Sequence, residues 1–187
     1  MKRYDVIIVG AGTAGLTARR EVAKKTDNYI VVDDGPLGTT CARVGCMPSK
    51  VLIQVANDFY RRKSLPQEGI FGGENLSVDH QKVMTHVRAL RDRFTGGVIK
   101  GLSSWENKLV RERATLKSPN SLIVGEEEVE FDKLILATGS RPLIPQDWQE
   151  VSDLFVTTDG FFELESLPKS MAVIGLGVIG LELGQAL

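Results

Sequence analysis

The chain has 187 residues, 42% of them hydrophobic, and its 23 basic and 24 acidic residues leave a net charge of −1. That length and apolar content suffice for one domain and part of another, whereas the balanced charge provides no electrostatic footprint for nucleic acid or an anionic membrane surface. Since the apolar N-terminal run has no signal-peptide cleavage site and no stretch approaches the roughly 18 apolar residues of a membrane span, we expect a cytoplasmic protein with neither nucleic acid nor membrane as a partner.

A glycine-rich turn between a buried strand and a helix opens the chain. The β-branched run at 4–9 predicts a central parallel strand, and residues 16–25 predict a helix. A second strand is predicted at 29–32. The segment 10–15 between the first strand and the helix reads Gly-x-Gly-x-x-Gly, which is the pattern of a dinucleotide-binding site.

Each glycine of this motif has a physical purpose. Gly10 permits the tight turn, Gly12 lets the backbone approach a pyrophosphate, and Gly15 lets the helix and strand pack closely. The N–H groups and the dipole of the helix would then hold the phosphates. At the end of the second strand, Asp33 would accept hydrogen bonds from ribose hydroxyls, with Asp34 as the alternative.

Both cysteines of the chain, Cys41 and Cys46, follow the second strand and are separated by four residues. On an ideal helix they would lie about 7.5 Å apart along the axis, beyond the roughly 4.4–6.8 Å Cα separation that a disulfide permits. A bridge therefore needs a distorted turn, for which Gly45 supplies backbone freedom. Pro48 suits the first residue of a helix, which points Cys46 towards a positive helix end where thiolates are stabilised. The alternative is a pair of buried, inert thiols.

The middle of the chain predicts two helices. Apolar spacing at 51–59 indicates the first, and the glycine- and proline-marked segment 65–75 indicates a loop. Asp79 is expected to cap a long helix that continues to Trp105, with a break or kink at 96–97.

No spacing in the chain is typical of a metal site. The two histidines, His80 and His86, lie six residues apart, so they do not share a helix face, and no cysteine or carboxylate completes a ligand set. We therefore predict surface histidines, no metal and no catalytic base among them.

A set of short strands follows. Strands are expected within 109–116, and a hairpin is expected to pair 122–124 with 129–131 around a solvated acidic tip at 125–128. A separate buried strand is predicted at 134–136, immediately before the sequence Ala-Thr-Gly.

The dinucleotide motif then occurs a second time. After a predicted linker at 142–153, a buried strand at 171–174 leads into Gly-x-Gly-x-x-Gly at 175–180. Two such motifs imply two dinucleotides. Because the chain stops at Leu187 inside the predicted helix, we expect a fragment of a protein more than twice this length.

The order Gly-x-Gly-x-x-Gly, acid, Cys-x₄-Cys, Pro-Ser-Lys resembles the flavoprotein disulfide reductases, most closely the dihydrolipoamide dehydrogenases, with mercuric and glutathione reductases nearby. The resemblance implies an α/β fold: a Rossmann-like FAD-binding domain at 1–145, with a parallel sheet and a small antiparallel β-meander, and the start of a Rossmann-like NAD(P)-binding domain at 146–187. This chain departs from the usual family pattern by carrying Thr39 in place of a glycine and Arg43 in place of an asparagine.

The resemblance also implies roles for single residues. Cys46 would lie nearest the flavin as the charge-transfer thiolate, Cys41 would exchange with the substrate, and Lys50 would lie beside the flavin, paired with Glu182. The implied FAD contacts are Gly10, Gly12, Thr13, Ala14, Gly15, Asp33, Asp34, Thr40, Cys41, Lys50, Ala114, Ala137, Thr138 and Gly139. The implied NAD(P) contacts are Gly175, Gly177, Val178, Ile179, Gly180 and Glu182.

The activity implied is electron transfer between NAD(P)H, FAD and a Cys41–Cys46 disulfide, with a small-molecule or lipoyl-domain disulfide or dithiol as substrate. The full-length protein would be a homodimer whose absent interface domain supplies a His–Glu couple as catalytic base, so the present chain alone is expected to be inactive. Alternatives are a mercuric or glutathione reductase-like enzyme, a thiol-independent transhydrogenase and a non-catalytic flavin-binding module.

Overall fold

A computed structural model describes residues 1–105 and 107–187. The chain forms two compact units, one made of Met1–Thr40 with Thr95–Arg141 and the other of Cys41–Phe94 with Pro142–Leu187. The domain boundary at residue 145 stays a prediction.

The first unit is built on a six-stranded sheet. Its strands are β1 (Lys2–Val9), β2 (Tyr29–Val32), β3 (Leu109–Val110), β4 (Ala114–Ser118), β5 (Ser121–Val124) and β6 (Glu127–Leu136). They are arranged in the order β3-β2-β1-β6-β5-β4. The first four strands in this order are parallel, whereas β5 pairs antiparallel with both β6 and β4. This sheet confirms the predicted α/β fold with its parallel strands and antiparallel meander.

Residues 6–9 of β1 and all of β2 are apolar and largely buried, so both faces of these segments lie in the core. Val6 and Ile8 of β1 pack in one core cluster with Val31 of β2, on the face covered by helix α1 (Thr13–Val22). Ile7 and Ile30 pack in a second cluster with residues of β5 and β6. The alternation follows from the two-residue period of a strand, and it produces the continuous apolar runs typical of central parallel strands.

The hairpin between β5 and β6 differs from the prediction in one respect. The turn consists of Gly125 and Glu126, while Glu127 and Glu128 already belong to β6. Lys2 on β1 and Lys117 on β4 pair with these two carboxylates at 2.8 and 2.5 Å. The prediction of a four-residue acidic tip is therefore wrong, because Glu127 and Glu128 pair with Val124 and Ile123 of β5 across a two-residue turn. β6 also runs unbroken to Leu136, where two strands were predicted.

The other helices follow the chain as α2 (Thr40–Val44), α3 (Cys46–Tyr60), α4 (His80–Leu102), α5 (Thr158–Phe161) and α6 (Val178–Ala186). Within the second unit, α3 and α6 pack against each other. A core cluster joins these helices to α4 and α5; its buried members are Leu52, Val87, Phe161, Phe162 and Leu183. In the described part of the chain, no helix combines the length and the apolar character that a bilayer crossing requires.

The long helix α4 begins as predicted, because the amide of Lys82 donates to Asp79 Oδ1 at 3.0 Å. It then continues through Gly96 and Gly97 without the predicted break. A helical glycine costs about 0.5–1 kcal/mol relative to alanine, which is small beside the burial of apolar residues such as Met84 and Val87 on the same helix.

The predicted strand at 171–174 is not formed, and that prediction is wrong. Its residues have no regular secondary structure, and Ile174 is 62% exposed. A parallel strand exists only when a neighbouring strand satisfies its backbone. None of the described strands pairs with this segment.

Candidate functional site

The first glycine turn lies at the carboxyl ends of the parallel strands. The amide of Gly10 donates to Val32 at 2.8 Å, and the amide of Ala137 donates to Val9 at 2.8 Å. A Cβ on Gly10 would lie 2.2 Å from the carbonyl oxygen of Ala137, and the φ of Gly10 is +107°. Similarly, a Cβ on Gly15 would lie 1.8 Å from the carbonyl oxygen of Gly10. The turn therefore requires glycine at both positions.

The N-terminus of α1 has the properties of an anion site. Gly12 is the N-cap, with no side-chain hydrogen bond to the first turn and no acidic residue in it. Thr13 and Ala14 are exposed, and a Cβ on Gly12 would meet no atom within 4 Å. Because the first amides of a helix carry partial positive charge and no intrahelical partner, this open turn fits a pyrophosphate group.

Asp33 closes the turn from the neighbouring strand. Its Oδ2 accepts the amide of Ala11 at 2.5 Å, and its Oδ1 accepts the amide of Gly35 at 2.8 Å. Asp34 is exposed. Arg111 also contacts Asp33; the sequence analysis missed this residue, although its place directly after β3 puts it at the same edge of the sheet.

The Ala-Thr-Gly segment and the predicted adenine contact lie in the same unit. Ala137 touches the first glycine turn, as described, while Thr138 and Gly139 are exposed and Gly139 has a φ of +72°. Ala114 begins β4 opposite Val124 and packs partly against the core.

The two cysteines lie on successive helices that meet at a sharp break. Cys41 belongs to α2, which ends at Val44, and Cys46 is the first residue of α3. Gly45 between them has φ −126° and ψ −122°, a conformation outside both helix and strand. This break is the distorted turn that a bridge requires. The thiols are free, with Cys41 half-buried and Cys46 exposed.

The sulfurs interact directly. A hydrogen bond with Cys46 raises the pKa of the Cys41 thiol above its ordinary value, and partial burial and the charge of Cys46 act in the same direction. The amides of Cys46 and Met47, at the positive end of α3, oppose this by lowering the pKa of Cys41. The amides at the positive end of α3 therefore act on Cys41, and the expected effect of this helix end on Cys46 stays a prediction.

The segment before Cys41 has an unusual backbone. Gly38 and Thr39 both have positive φ, of +112° and +64°, and Thr39 is the only non-glycine residue with a positive φ among those described. Thr39 is also buried. A β-branched residue in the left-handed region costs roughly 1–2 kcal/mol, so the chain keeps a glycine-type turn here despite the threonine. Thr40 is the exposed first residue of α2, and Arg43 is half-buried within it.

Lys50 and Glu182 form an ion pair inside the second unit. The Nζ of Lys50 on α3 lies 2.6 Å from Oε1 of Glu182 on α6. Both side chains remain partly exposed, at 58% and 39%, so solvent screens the pair and its contribution to stability is small. The pair fixes the charged end of Lys50 in one direction.

The second glycine turn reproduces the backbone of the first. Gly175 has a φ of +105°, against +107° at Gly10. Gly177 is the N-cap of α6 with φ −71° and ψ 172°, against −75° and −173° at Gly12. A Cβ on Gly180 would lie 2.2 Å from the carbonyl oxygen of Gly175, as in the first turn.

The N-terminus of α6 is likewise open. Val178 and Ile179, in its first turn, are 74% and 60% exposed, and no acidic residue or side-chain cap is present there. The second turn therefore fits a second pyrophosphate on the same physical grounds as the first. In residues 1–105 and 107–187, no group of three or more histidine, cysteine or acidic side chains is placed to hold a metal ion.

The sequence matches a protein family and several known proteins over nearly the whole chain. Residues 4–187 match the family described as pyridine nucleotide-disulphide oxidoreductase. The chain is 34% identical over 186 residues to a dihydrolipoyl dehydrogenase of Bacillus subtilis, covering 97% of this chain and 39% of that protein. It is 34% identical over 190 residues to a dihydrolipoyl dehydrogenase of Manduca sexta, covering 96% and 37%. The chain thus spans about two fifths of the length of these curated relatives.

Among solved structures, the chain is similar to the HOCl-induced flavoprotein disulfide reductase RclA from Escherichia coli. The TM-score is 0.77 with 20% identity, covering 98% of this chain and 39% of that one. The Cu(II) complex of the same RclA protein gives a TM-score of 0.74 with 20% identity, covering 100% and 40%. At this identity the likeness concerns the fold.

The strained turn at Thr39 predicts an inverted order of stability for two variants. Thr39→Gly and Thr39→Ala both remove the hydroxyl and the methyl group, but only glycine relieves the positive φ. We expect Thr39→Gly to be more stable than Thr39→Ala by about 1 kcal/mol in denaturant unfolding, whereas alanine is normally the more stable of the two. Equal stability, or greater stability of the alanine variant, would contradict the left-handed conformation.

Two of the three glycines in the first turn, Gly12 and Gly15, provide a matched pair of variants. Gly15→Ala places a methyl group against a backbone oxygen and should cost about 1–3 kcal/mol in thermal unfolding. Gly12→Ala enters open space and should change stability by less than about 0.5 kcal/mol. A similar loss in both variants would show that the described turn does not exist in solution.

The contact between the sulfurs predicts the pH dependence of thiol alkylation. Cys46→Ala removes the hydrogen bond that raises the pKa of Cys41 most, so alkylation of Cys41 by iodoacetamide should reach half of its maximal rate at a lower pH than in the reduced wild type. Mass spectrometry identifies the modified residue. Met47→Leu keeps both sulfurs and the Met47 amide and should leave this pH unchanged; an unchanged or higher value in Cys46→Ala would refute the contact.

Proposed function

The chain belongs to the pyridine nucleotide-disulphide oxidoreductase family, whose members bind FAD and NAD(P), and on this basis we propose that it forms the flavin- and thiol-bearing part of an FAD-dependent disulfide oxidoreductase similar to dihydrolipoyl dehydrogenase. The observation that carries the proposal is the hydrogen bond between Cys41 and Cys46 across the break at Gly45. Two thiols close enough to share a hydrogen bond can be oxidised to a bridge, and we propose that these two are the redox pair.

The first glycine turn would hold the FAD pyrophosphate on the amides of α1, with the ribose at Asp33 and the flavin end towards Ala137, Thr138 and Gly139. Bound there, FAD would supply a two-electron relay between a nicotinamide and the sulfur pair. The residues present fit this group, since the open space at Gly12 and the uncapped helix end leave room and charge for a pyrophosphate. The second turn, from Gly175 to Gly180, would hold NAD or NADP in the same manner.

The thiol chemistry balances within the pair. The Cys41 thiolate attacks a substrate disulfide, forming a mixed disulfide and releasing one substrate sulfur as a thiolate that takes up a proton. The Cys46 thiolate then attacks the Cys41 sulfur, breaks the mixed disulfide and releases the second substrate thiol, which leaves a Cys41–Cys46 bridge. Two electrons pass from the protein to the substrate. Oxidation of a dithiol such as dihydrolipoamide follows the same steps in reverse.

The raised pKa of Cys41 has a direct consequence for this exchange. Cys41 keeps its proton while Cys46 accepts the hydrogen bond, so a base must remove that proton before Cys41 attacks. We propose that this base lies outside the present 187 residues, in the portion that the longer relatives possess. In the same scheme, the ion pair with Glu182 would orient the Lys50 ammonium.

The remaining parts of the proposal concern the complete protein. We assign it a small-molecule or lipoyl-domain disulfide or dithiol as substrate, a homodimeric assembly and a cytoplasmic location. The dihydrolipoyl dehydrogenase relatives support the substrate class. Since the chain spans about two fifths of their length, we expect no turnover from these 187 residues alone.

Flavin absorbance of the full-length protein tests the dithiol role. Addition of two electrons to the wild type should produce a long-wavelength band from the Cys46 thiolate against the flavin, and Cys46→Ser should lack it. Cys41→Ser is the matched control: Cys46 can no longer form the bridge, so its thiolate should give the band without reduction. A flavin-loaded protein without this band, or turnover unaffected by alkylation of both cysteines, would favour a thiol-independent transhydrogenase instead.

A further inference from the structure

The guanidinium of Arg111 forms hydrogen bonds to the turn that follows β2. Nη1 donates to the carbonyl oxygen of Asp33 at 2.7 Å and to its Oδ1 at 3.2 Å, while Nη2 donates to the carbonyl oxygen of Gly35 at 2.5 Å. A planar guanidinium can bridge several oxygens with little loss of side-chain freedom. These contacts fix both the backbone at 33–35 and the carboxylate that faces the first glycine turn.

The position of Arg111 follows from the register of the sheet. β3 pairs with β2 through Val110 and Val32, and the amide of Asp33 donates to Val110 at 3.0 Å. The residue after Val110 therefore emerges beside Asp33, at the carboxyl edge where ligands of parallel sheets bind. A long cationic side chain at this point reaches the acid without crossing the turn.

The carboxylate of Asp33 has an acceptor position left for a ligand. A carboxylate offers about four lone-pair sites, two on each oxygen. Among the described residues, Oδ1 accepts from Gly35 and Arg111, which fills it, whereas Oδ2 accepts from Ala11 alone. One acceptor position is left, and it lies on the oxygen that is bonded to the glycine turn.

We propose that Arg111 is a positioning residue for the adenosine ribose of FAD, which holds Asp33 so that its Oδ2 accepts one ribose hydroxyl and no second one. The inference rests on the proposed function, since it takes FAD as the ligand of the first turn. Arg111 acts through Asp33: it saturates Oδ1, compensates the charge of a side chain that is only 18% exposed, and prevents rotation of the carboxylate.

Binding of FAD to the flavin-stripped full-length protein tests this role. Arg111→Met should weaken FAD binding roughly tenfold, the loss expected from a charge-assisted hydrogen bond, and Arg111→Lys should recover part of it. Arg113→Met is the matched control, because it removes the same charge two residues later, and none of the contacts described for Asp33 or Gly35 involves the Arg113 side chain. It should bind FAD as the wild type does.

FAD analogues separate positioning from a general effect on folding. With 2′-deoxyadenosine and 3′-deoxyadenosine forms of FAD, the wild type should lose affinity for one analogue and not for the other, because Asp33 has one acceptor position free. In Arg111→Met this difference should shrink. The wild-type measurement needs no variant, so the proposal is tested even if Arg111→Met does not fold.

The outcomes distinguish this inference from the function on which it rests. Equal losses with both analogues in the wild type, or unchanged FAD affinity in Arg111→Met, would overturn the role of Arg111 while leaving the flavoprotein assignment in place. A full-length protein that binds no FAD would overturn both.

Discussion

The parallel hydrogen bonding of β3, β2, β1 and β6 is the constraint on which the first site depends. Parallel strands end at one edge, so four segments distant in sequence converge there: the glycine turn after β1, Asp33 after β2, Arg111 after β3 and Ala137 after β6. The contact between Gly10 and the Ala137 carbonyl leaves no room for a side chain. The shape of the turn therefore depends on the pairing of β1 with β6.

Features encoded by neighbouring residues could be predicted from the sequence. The apolar runs gave β1 and β2, Asp79 gave the start of α4, and the glycine spacing gave both turns, because each depends on a few residues in a row. Features that need a distant partner could not be predicted. The extent of β6 depends on its pairing with β1 from the start of the chain, and the segment 171–174 has the composition of a strand but pairs with none of the described strands.

The geometry of the two cysteines could be predicted from the sequence only in part. Spacing alone showed that a bridge requires a distorted turn, and Gly45 provides it. The same spacing did not show that the amides of α3 reach Cys41, because that depends on the angle between α2 and α3. The helix end lowers the pKa of Cys41 while Cys46 raises it, so this pKa follows from a balance of two local contacts that no linear pattern contains.

The repeated glycine turn has an implication for the modularity of the fold. The second turn adopts the dihedral angles of the first within about 15°, although the described residues directly before it, 171–174, form no strand. The second turn thus keeps this shape although none of the described strands pairs with the segment before it. The same arrangement of free helix amides therefore occurs at two places in one chain, and the residues around each turn would distinguish the two ligands.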